Sequence, residues 1–361
     1  MTYCFEFNPY QRQFRHPLTT HHGIWKVREG IILRLVDEKG RVGWGEIAPL
    51  PWFGSETLEQ ALTFCQQFPS QITSTDIFSI PAEFPACQFG FESAWDGLVA
   101  RNGGDGGDEG DEGDEGDGGD EGDGGDGGDE GDEGDGGDEG DGGDEGDGGE
   151  SRIETEKTSL SLPNSSLKYS YLLPTGEAAL TSWQEGWQQG DRTFKWKIGV
   201  TSMESELKWF EQLVQALPPS AQLRLDANGG LTQNQAQQWL QVADQAGIVE
   251  FLEQPLPPEE FDVIKAMQDQ YKTAIALDES VATLNQLKTC YQQGWRGIFV
   301  IKAAIAGSPT QLRQFCQVHD IDVVFSSVFE SAIARIAVLN LAVELSHPHR
   351  AVGFGVNHWF V

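Results

Sequence analysis

The sequence predicts an α/β protein whose carboxyl-terminal half is a parallel (β/α) barrel and whose amino-terminal part is a small α+β unit. Three observations lead there. From residue 169 onward, short apolar runs alternate with amphipathic stretches of helical length. Polar residues recur where those runs end, at steps of 29, 27, 25 and 24 residues counted from Lys197, each the span of one strand and one helix. Residues 103–150 contain only Gly, Asp and Glu, and they part the chain in two.

In the amino-terminal part, GIILRLVDEKGRVGWGEIAP reads as two strands joined around Lys39 and Gly40, because β-branched and apolar residues flank polar turn chemistry. SETLEQALTFCQQF reads as a helix. Ser55 is placed to cap it, and Leu58, Ala61, Leu62 and Cys65 share one face. FGFESAWDGLVAR reads as a second helix. The tract that follows holds 24 acidic residues and 24 glycines. It has no apolar group to bury and it repels itself, so disorder is expected. A calcium-binding repeat would interleave apolar residues, and none occurs. An acidic interaction tail is the other alternative, with no partner named by the sequence. The reading adopted is a tolerated loop insertion, since GGN and GAN codons imply a G/A-rich DNA repeat that expands by slippage. SRIETEKTSLSLPNSS leads back to the first barrel strand.

Eight strand candidates lie between residues 169 and 355: YSYLLP, TFKWKIG, AQLRLDANG, VEFLEQPL, AIALDES, GIFVIKA, DVVFSSV and AVGFG. MESELKWFEQLVQAL, TQNQAQQWLQVADQAG and ESAIARIAVLNLAVEL carry apolar residues at helical spacing between them. Eight strands suit a closed barrel, although a doubly wound sheet satisfies the same alternation.

The 361 residues allow more than one domain. The net charge of −33 misleads, because outside the tract 33 acidic residues face 24 basic ones, a net of −9. No basic surface suits nucleic acid. Cys4, Cys65, Cys87, Cys290 and Cys316 are dispersed, as expected of free thiols in a reducing compartment. The first twenty residues lack the apolar core of a signal peptide, and no run approaches the ~18–20 apolar residues of a membrane span. A cytoplasmic protein with neither nucleic-acid nor membrane partners is expected.

The strand ends carry the chemistry. Lys195 and Lys197 close the second, Asp226 and Asn228 the third, Glu253 the fourth, Asp278 and Glu279 the fifth, and Lys302 the sixth. In a barrel these ends open onto one face, where active sites sit. One such acid alone would as readily be a helix cap or a surface ion pair; three on consecutive strand ends are another matter. Gathered without compensation, they would raise one another's pKa values. A divalent cation removes that conflict, and an all-oxygen set selects Mg²⁺ or Mn²⁺ over zinc. A lysine with its ordinary pKa of ~10.4 is a poor base. In KWK, however, Lys195 and Lys197 share a side, so their repulsion and the metal charge should lower the pKa of the one nearer the substrate. Metal ligation of a substrate carboxylate stabilises the enediolate left when the adjacent carbon loses its proton.

The runs KWK, LDANGG, EQPL, LDES and IKA resemble the enolase superfamily, in the branch with lysines on the second and sixth strands. REGIILRLVDEKGRVGWGEIAPLPWFGSETLEQA, YSYLLPTGEAAL and FSSVFESAIARIAVLNLA resemble the o-succinylbenzoate synthase family within it. The likeness covers all but the acidic tract and its flanks. It implies a modified (β/α)₇β barrel over residues 169–355 beneath an α+β capping domain of residues 1–101, completed by about 356–361, with 102–168 as insertion and linker. It also implies a hydro-lyase acting on a small-molecule carboxylate. The reaction is syn elimination of water from 2-succinyl-6-hydroxy-2,4-cyclohexadiene-1-carboxylate, on the route to menaquinone or phylloquinone.

Carried over by motif, Lys197 removes the proton alpha to the ring carboxylate and returns it to the departing hydroxyl. Lys302 stabilises the enediolate from the opposite side. Asp226, Glu253 and Asp278 bind Mg²⁺, Arg224 tunes Lys197, and Lys195, Asn228 and Glu279 support them. Segments 19–23 and 50–54 are the expected substrate-closing loops, with Thr20, His21, Gly23, Ser326 and Ser327 as substrate contacts. The acidic tract departs from the family, which has a much shorter connection there. Loop entropy grows only by about 0.6 kcal/mol per doubling of length, so the site is expected to survive it.

The branch with a histidine base is disfavoured, because DVVFSSV has no histidine and the sixth strand presents Lys302. His347, His349 and His358 lack metal-ligand spacing. Trp25, Trp44 and Trp52 read as core or domain-interface residues, and Trp196 as packing outside the barrel. The rival enzyme is an N-acylamino acid racemase or dipeptide epimerase using the same lysines. The rival non-enzyme, an acidic binding protein on an inactive barrel, should lack a ligand or a lysine, and none is lacking.

Overall fold

Residues 1–20, 23–100, 167–356 and 360 are described by the structure, a computed structural model. The Gly/Asp/Glu tract, nearly all of the polar linker and His21 lie outside the described residues. Antiparallel pairing organises the amino-terminal part. Strands β1 (Thr2–Thr20), β2 (Gly23–Val36), β3 (Val42–Ile47) and β4 (Gln71–Thr73) form one sheet in the order β3-β2-β1-β4. The expected turn between β2 and β3 is present. Gly40 adopts φ +77°, and the Asp37 carboxylate accepts from the backbone N–H groups of Lys39 and Arg41.

Helix α1 (Leu58–Gln67) buries Ala61 and Cys65 as its periodicity requires. Its cap is Thr57, not Ser55. Thr57 and Gln60 satisfy each other's backbone N–H groups reciprocally, while the Ser55 hydroxyl accepts from Leu50 instead. After α2 (Ser74–Phe78), helix α3 (Pro85–Ala100) crosses β3 closely. A Cβ at Gly45 would stand 2.0 Å from the Gly90 carbonyl oxygen, so only glycine permits this approach.

The eight apolar runs are the eight strands of a parallel sheet. They are β5 (Tyr169–Leu172), β6 (Thr193–Lys197), β7 (Gln222–Asp226), β8 (Val249–Glu253), β9 (Ala274–Leu277), β10 (Ile298–Ile301), β11 (Asp322–Phe325) and β12 (Val352–Gly355). Their order runs β11-β10-β9-β8-β7-β6-β5-β12, and a parallel bridge between Ser326 and Gly353 closes the ring. Helices Met203–Ala216, Gln233–Ala246 and Ala332–Leu345 occupy the predicted stretches. In β6, Phe194 and Trp196 face the outer layer, where Trp196 meets Trp239 edge-on at 6.3 Å. Lys195 and Lys197 therefore face inward.

Inside the barrel, Phe251, Ala276, Val300 and Val324 form an apolar tier with Ile298. Each of the first four lies two residues before a member of the polar tier above: Glu253, Asp278, Lys302 and Ser326. Below them β8 carries a bulge. Leu223 pairs with Val249 and Arg224 with Phe251, which leaves Glu250 as the extra residue. Its carboxylate accepts from Arg224 at 2.6 Å and from Arg350 at 2.7 Å.

Cap and barrel meet through carboxylates laid on helix starts. Glu46 on β3 accepts from the N–H groups of Ser331 (2.9 Å) and Ala334 (3.2 Å), and Glu92 on α3 accepts from Thr310 (3.1 Å). Phe360 bridges to Phe14, and their rings stack at 4.8 Å. Among the described residues no helix is long and apolar enough to cross a membrane.

Candidate active site

Parallel register brings the reactive side chains together. Lys197 pairs with Asp226, and Asp226 with Glu253, on neighbouring strands. Asp278, Lys302 and Ser326 follow immediately after β9, β10 and β11. Lys195, Lys197, Asp226, Asn228, Asp278, Glu279, Lys302, Ser326 and Ser327 all line one cavity. Glu253 is buried behind it, in contact with Lys195.

The turns beyond the strands are built to hold these groups. Glu206 is buried and accepts from the backbone N–H groups of Gly199, Val200 and Thr201 at 2.8, 2.8 and 2.9 Å, which fixes the loop after Lys197. Gln254 does the same between β8 and β9. Its side-chain oxygen accepts from the N–H groups of Asp278 (3.0 Å) and Ser280 (3.1 Å), and its amide donates to the Ser280 hydroxyl (2.7 Å). Among the described residues the non-glycine positions with positive φ are Asn228 (44°), Gln254 (37°) and Phe329 (60°), all at or beside this cavity. Backbone strain of this kind gathers at functional sites.

Charge is tightly partnered. Lys195 Nζ lies 2.6 Å from Glu253 and 2.9 Å from Asp226, Lys197 lies 3.2 Å from Asp226, and Lys302 contacts Asp278. Burial pulls the Lys195 pKa down, but Asp226, Glu253 and Asp278 outweigh it and hold the ammonium well above its ordinary range. Lys195 is thus engaged by carboxylates, which differs from the expected repulsion with Lys197. Burial also acts against Asp226, yet Lys195 and Lys197 keep its carboxyl low. Glu253 is pushed up to about 7 by burial and the Asp226 charge, and Asp278 to about 6 by burial that Lys302 only partly offsets.

These carboxylates can accept a hard cation. They offer oxygen donors from adjacent strand ends, and burial leaves two of them above the usual carboxylate range even with lysines beside them. Among the described residues no three His, Cys, Asp or Glu side chains enclose a metal position, and Lys195 and Lys302 are paired with these carboxylates.

Other expected residues fall elsewhere. Arg224 does not reach Lys197; it donates to Glu250 and lies 4.7 Å over the Phe251 ring. The bulge that turns Glu250 inward explains the difference. Thr20 and Gly23 pair at the end of the β1–β2 hairpin, and His21 lies outside the described residues. Trp25 and Trp52, expected in core or interface, line the cavity and meet edge-to-face at 5.1 Å. Phe53 lies beneath Lys302, whose ammonium is 3.8 Å from the ring centroid. Gln254, within EQPL, and Phe329, within FSSVFES, were not singled out, and their backbone conformation and contacts reveal their part.

Comparison with known proteins agrees with this geometry. Residues 178–359 match the family model described as enolase C-terminal domain-like, and residues 8–98 match that described as MenC, N-terminal domain. The o-succinylbenzoate synthase of Thermosynechococcus vestitus (strain NIES-2133 / IAM M-273 / BP-1) is 37% identical over 354 residues, covering 97% of this chain and 91% of that protein. A crystal structure of o-succinylbenzoate synthase from Thermosynechococcus elongatus BP-1, complexed with Mg in the active site, has a TM-score of 0.77 at 36% identity. The match covers 99% of this chain and 94% of that one. A substrate-liganded L-Ala-D/L-Glu epimerase from Bacillus subtilis has a TM-score of 0.68 at 16% identity, covering 99% and 90%, a likeness of fold alone.

Proposed function

We propose the roles of individual side chains from one premise: this chain belongs to the o-succinylbenzoate synthase family of the enolase superfamily. It is a carbon–oxygen lyase that dehydrates 2-succinyl-6-hydroxy-2,4-cyclohexadiene-1-carboxylate to o-succinylbenzoate in menaquinone or phylloquinone biosynthesis, with Mg²⁺ as cofactor. Asp226, Glu253 and Asp278 would hold the ion, which when bound neutralises the substrate carboxylate and acidifies the adjacent carbon.

Lys197 takes the proton from that carbon. Its amine is oriented by the Asn228 side-chain oxygen and the Asp226 carboxylate. The C–H electron pair is held in the substrate's enediolate and then becomes the new ring double bond as the C–O bond breaks, and Lys197 hands its proton to the hydroxyl that leaves as water on the same face. Lys302, reaching in from β10, offsets the negative charge that builds on the substrate. Trp25, Leu50, Trp52, Phe53 and Phe329 wall the cavity and exclude bulk water from the transfer.

The observation that carries this reading is that Lys197 and Lys302 enter a single cavity from β6 and β10 with buried carboxylates beside both. Turnover of the cyclohexadiene carboxylate with Mg²⁺, followed by the absorbance of the aromatic product, tests it. No product above the uncatalysed rate would defeat it. The same opposed lysines suit α-proton exchange in an N-acylamino acid or dipeptide, so deuterium uptake by those substrates in D₂O measures the second reading. A reducing, cytoplasmic location accords with the free thiols of Cys4, Cys65, Cys87, Cys290 and Cys316, and cell fractionation tests it.

A further inference from the structure

One buried cation that takes no part in the reaction grips both walls of the cavity. Arg28, on β2, is 1% exposed. Among the described residues it has no carboxylate in ion-pair range, and its guanidinium donates to backbone carbonyls alone: Val328 (3.1 Å), Ala48 (2.5 Å), Pro49 (3.0 Å) and its neighbour Glu29 (2.6 Å). Ala48 and Pro49 lead into the cap segment that supplies Leu50, Trp52 and Phe53 to the cavity. Val328 belongs to the barrel loop that supplies Ser326, Ser327 and Phe329.

The Val328 peptide is held from two directions. Arg28 takes its carbonyl, while Glu330, itself buried, accepts from its N–H at 2.7 Å and from the Ser327 hydroxyl at 2.9 Å. The next residue is Phe329, at φ +60°, whose ring meets Trp25 edge-on at 5.7 Å. A non-glycine residue persists in that conformation only where its surroundings over-determine it. A planar fork of five donors serves these four carbonyls at once, and an ammonium, with three donors, cannot.

We propose that Arg28 is a positioning residue that sets substrate affinity by fixing the cap loop at Ala48–Phe53 against the barrel loop at Ser326–Phe329. The proposal rests on the reaction assigned above and adds to it the residue that sets the spacing of the walls. Lys197, Lys302 and the strand ends do not depend on Arg28, so its loss acts on binding and leaves proton transfer nearly intact.

Two variants test this, Arg28→Lys and Arg28→Met, each checked for folding by circular dichroism. Losing charge-assisted hydrogen bonds at the loops should raise KM for the cyclohexadiene carboxylate about tenfold, with kcat within about threefold of wild type. Titration of the Mg²⁺-loaded protein with o-succinylbenzoate, read by isothermal calorimetry, should show the same loss of affinity. Arg28→Met should be at least as impaired as Arg28→Lys. A fall in kcat with KM and product affinity unchanged overturns the proposal, as does wild-type affinity in either folded variant. If even Arg28→Lys were unfolded, Arg28 would be a folding residue and the proposal wrong. Failure of the wild-type enzyme to turn over the diene would count against the assigned reaction, and product binding would still judge Arg28.

Discussion

Lys197 Nζ donates to the side-chain oxygen of Asn228, a residue held at φ +44° on the neighbouring strand end. Asn228 in turn donates to Glu279 at 3.0 Å, so the orientation of the proposed base is set by a chain of fixed groups. Lys197→Ala should therefore abolish turnover while leaving fold and Mg²⁺ affinity near wild type. A proton-transfer group contributes about 10²–10⁴-fold, so retention of more than about one per cent of the rate would remove Lys197 from that role. Steady-state kinetics beside calorimetric Mg²⁺ titration makes the measurement.

Glu253→Gln keeps the shape of the side chain and removes one charge from the proposed metal site. Mg²⁺ should bind at least about tenfold more weakly, and activity should return in part as metal is added. Unchanged affinity and rate would mean that Glu253 serves only to hold Lys195, 2.6 Å away.

Glu250 belongs to stability. Burial pushes its carboxyl up, but Arg224 and Arg350 outweigh burial and hold it below its ordinary value of 4.5. A carboxylate depressed in the folded state stabilises fully above its unfolded pKa, and that stabilisation is lost as pH falls through the folded value. Glu250→Ala should lower stability by about 3–5 kcal/mol at pH 7, because Arg224 would remain buried without its partner. Below pH 4.5 the difference from wild type should narrow. Denaturant unfolding at pH 7 and at pH 4 checks both parts, and an equal difference at the two values would refute the pairing argument.

Deleting residues 103–150 should leave a folded, active enzyme. The segment has no apolar side chain, so its removal takes nothing from either core. Its 24 negative charges are screened over about 8 Å at physiological salt, and any effect on Mg²⁺ affinity should be small and fade as salt is added. An unfolded deletion variant, or a tenfold loss of kcat/KM at physiological salt, would show that the tract is no passive insertion.

The barrel was legible because buried parallel strands are written as apolar runs, and because the active layer lies where each run turns polar. Even spacing of Lys197, Asp226, Glu253, Asp278 and Lys302 was enough to gather them. The partner of Arg224 was not legible. Strict alternation along VEFLE puts Glu250 on the face opposite Glu253, toward the helices, and a one-residue bulge reverses that. Trp25 and Trp52 read as core or domain-interface residues, and they wall the cleft between cap and barrel. A tryptophan at a domain junction and one walling a cleft look alike in sequence, and only the closure of cap on barrel distinguishes them. Arg28 and Glu330 meet at Val328 from positions about 300 residues apart, beyond the reach of any local pattern.

The layer under the polar tier is dry on one side of the barrel only. Directly under Glu253, Asp278, Lys302 and Ser326 come Phe251, Ala276, Val300 and Val324, which offer no donor or acceptor along which a proton could hop. On β6 and β7 the same level is polar: Lys195 and Arg224 stand in register with Phe251, paired with Asp226 and Glu253 and with Glu250 respectively. A proton taken up by Lys197 in the proposed reaction would therefore find no relay through the β8–β11 side of the barrel, although that layer touches no reacting atom.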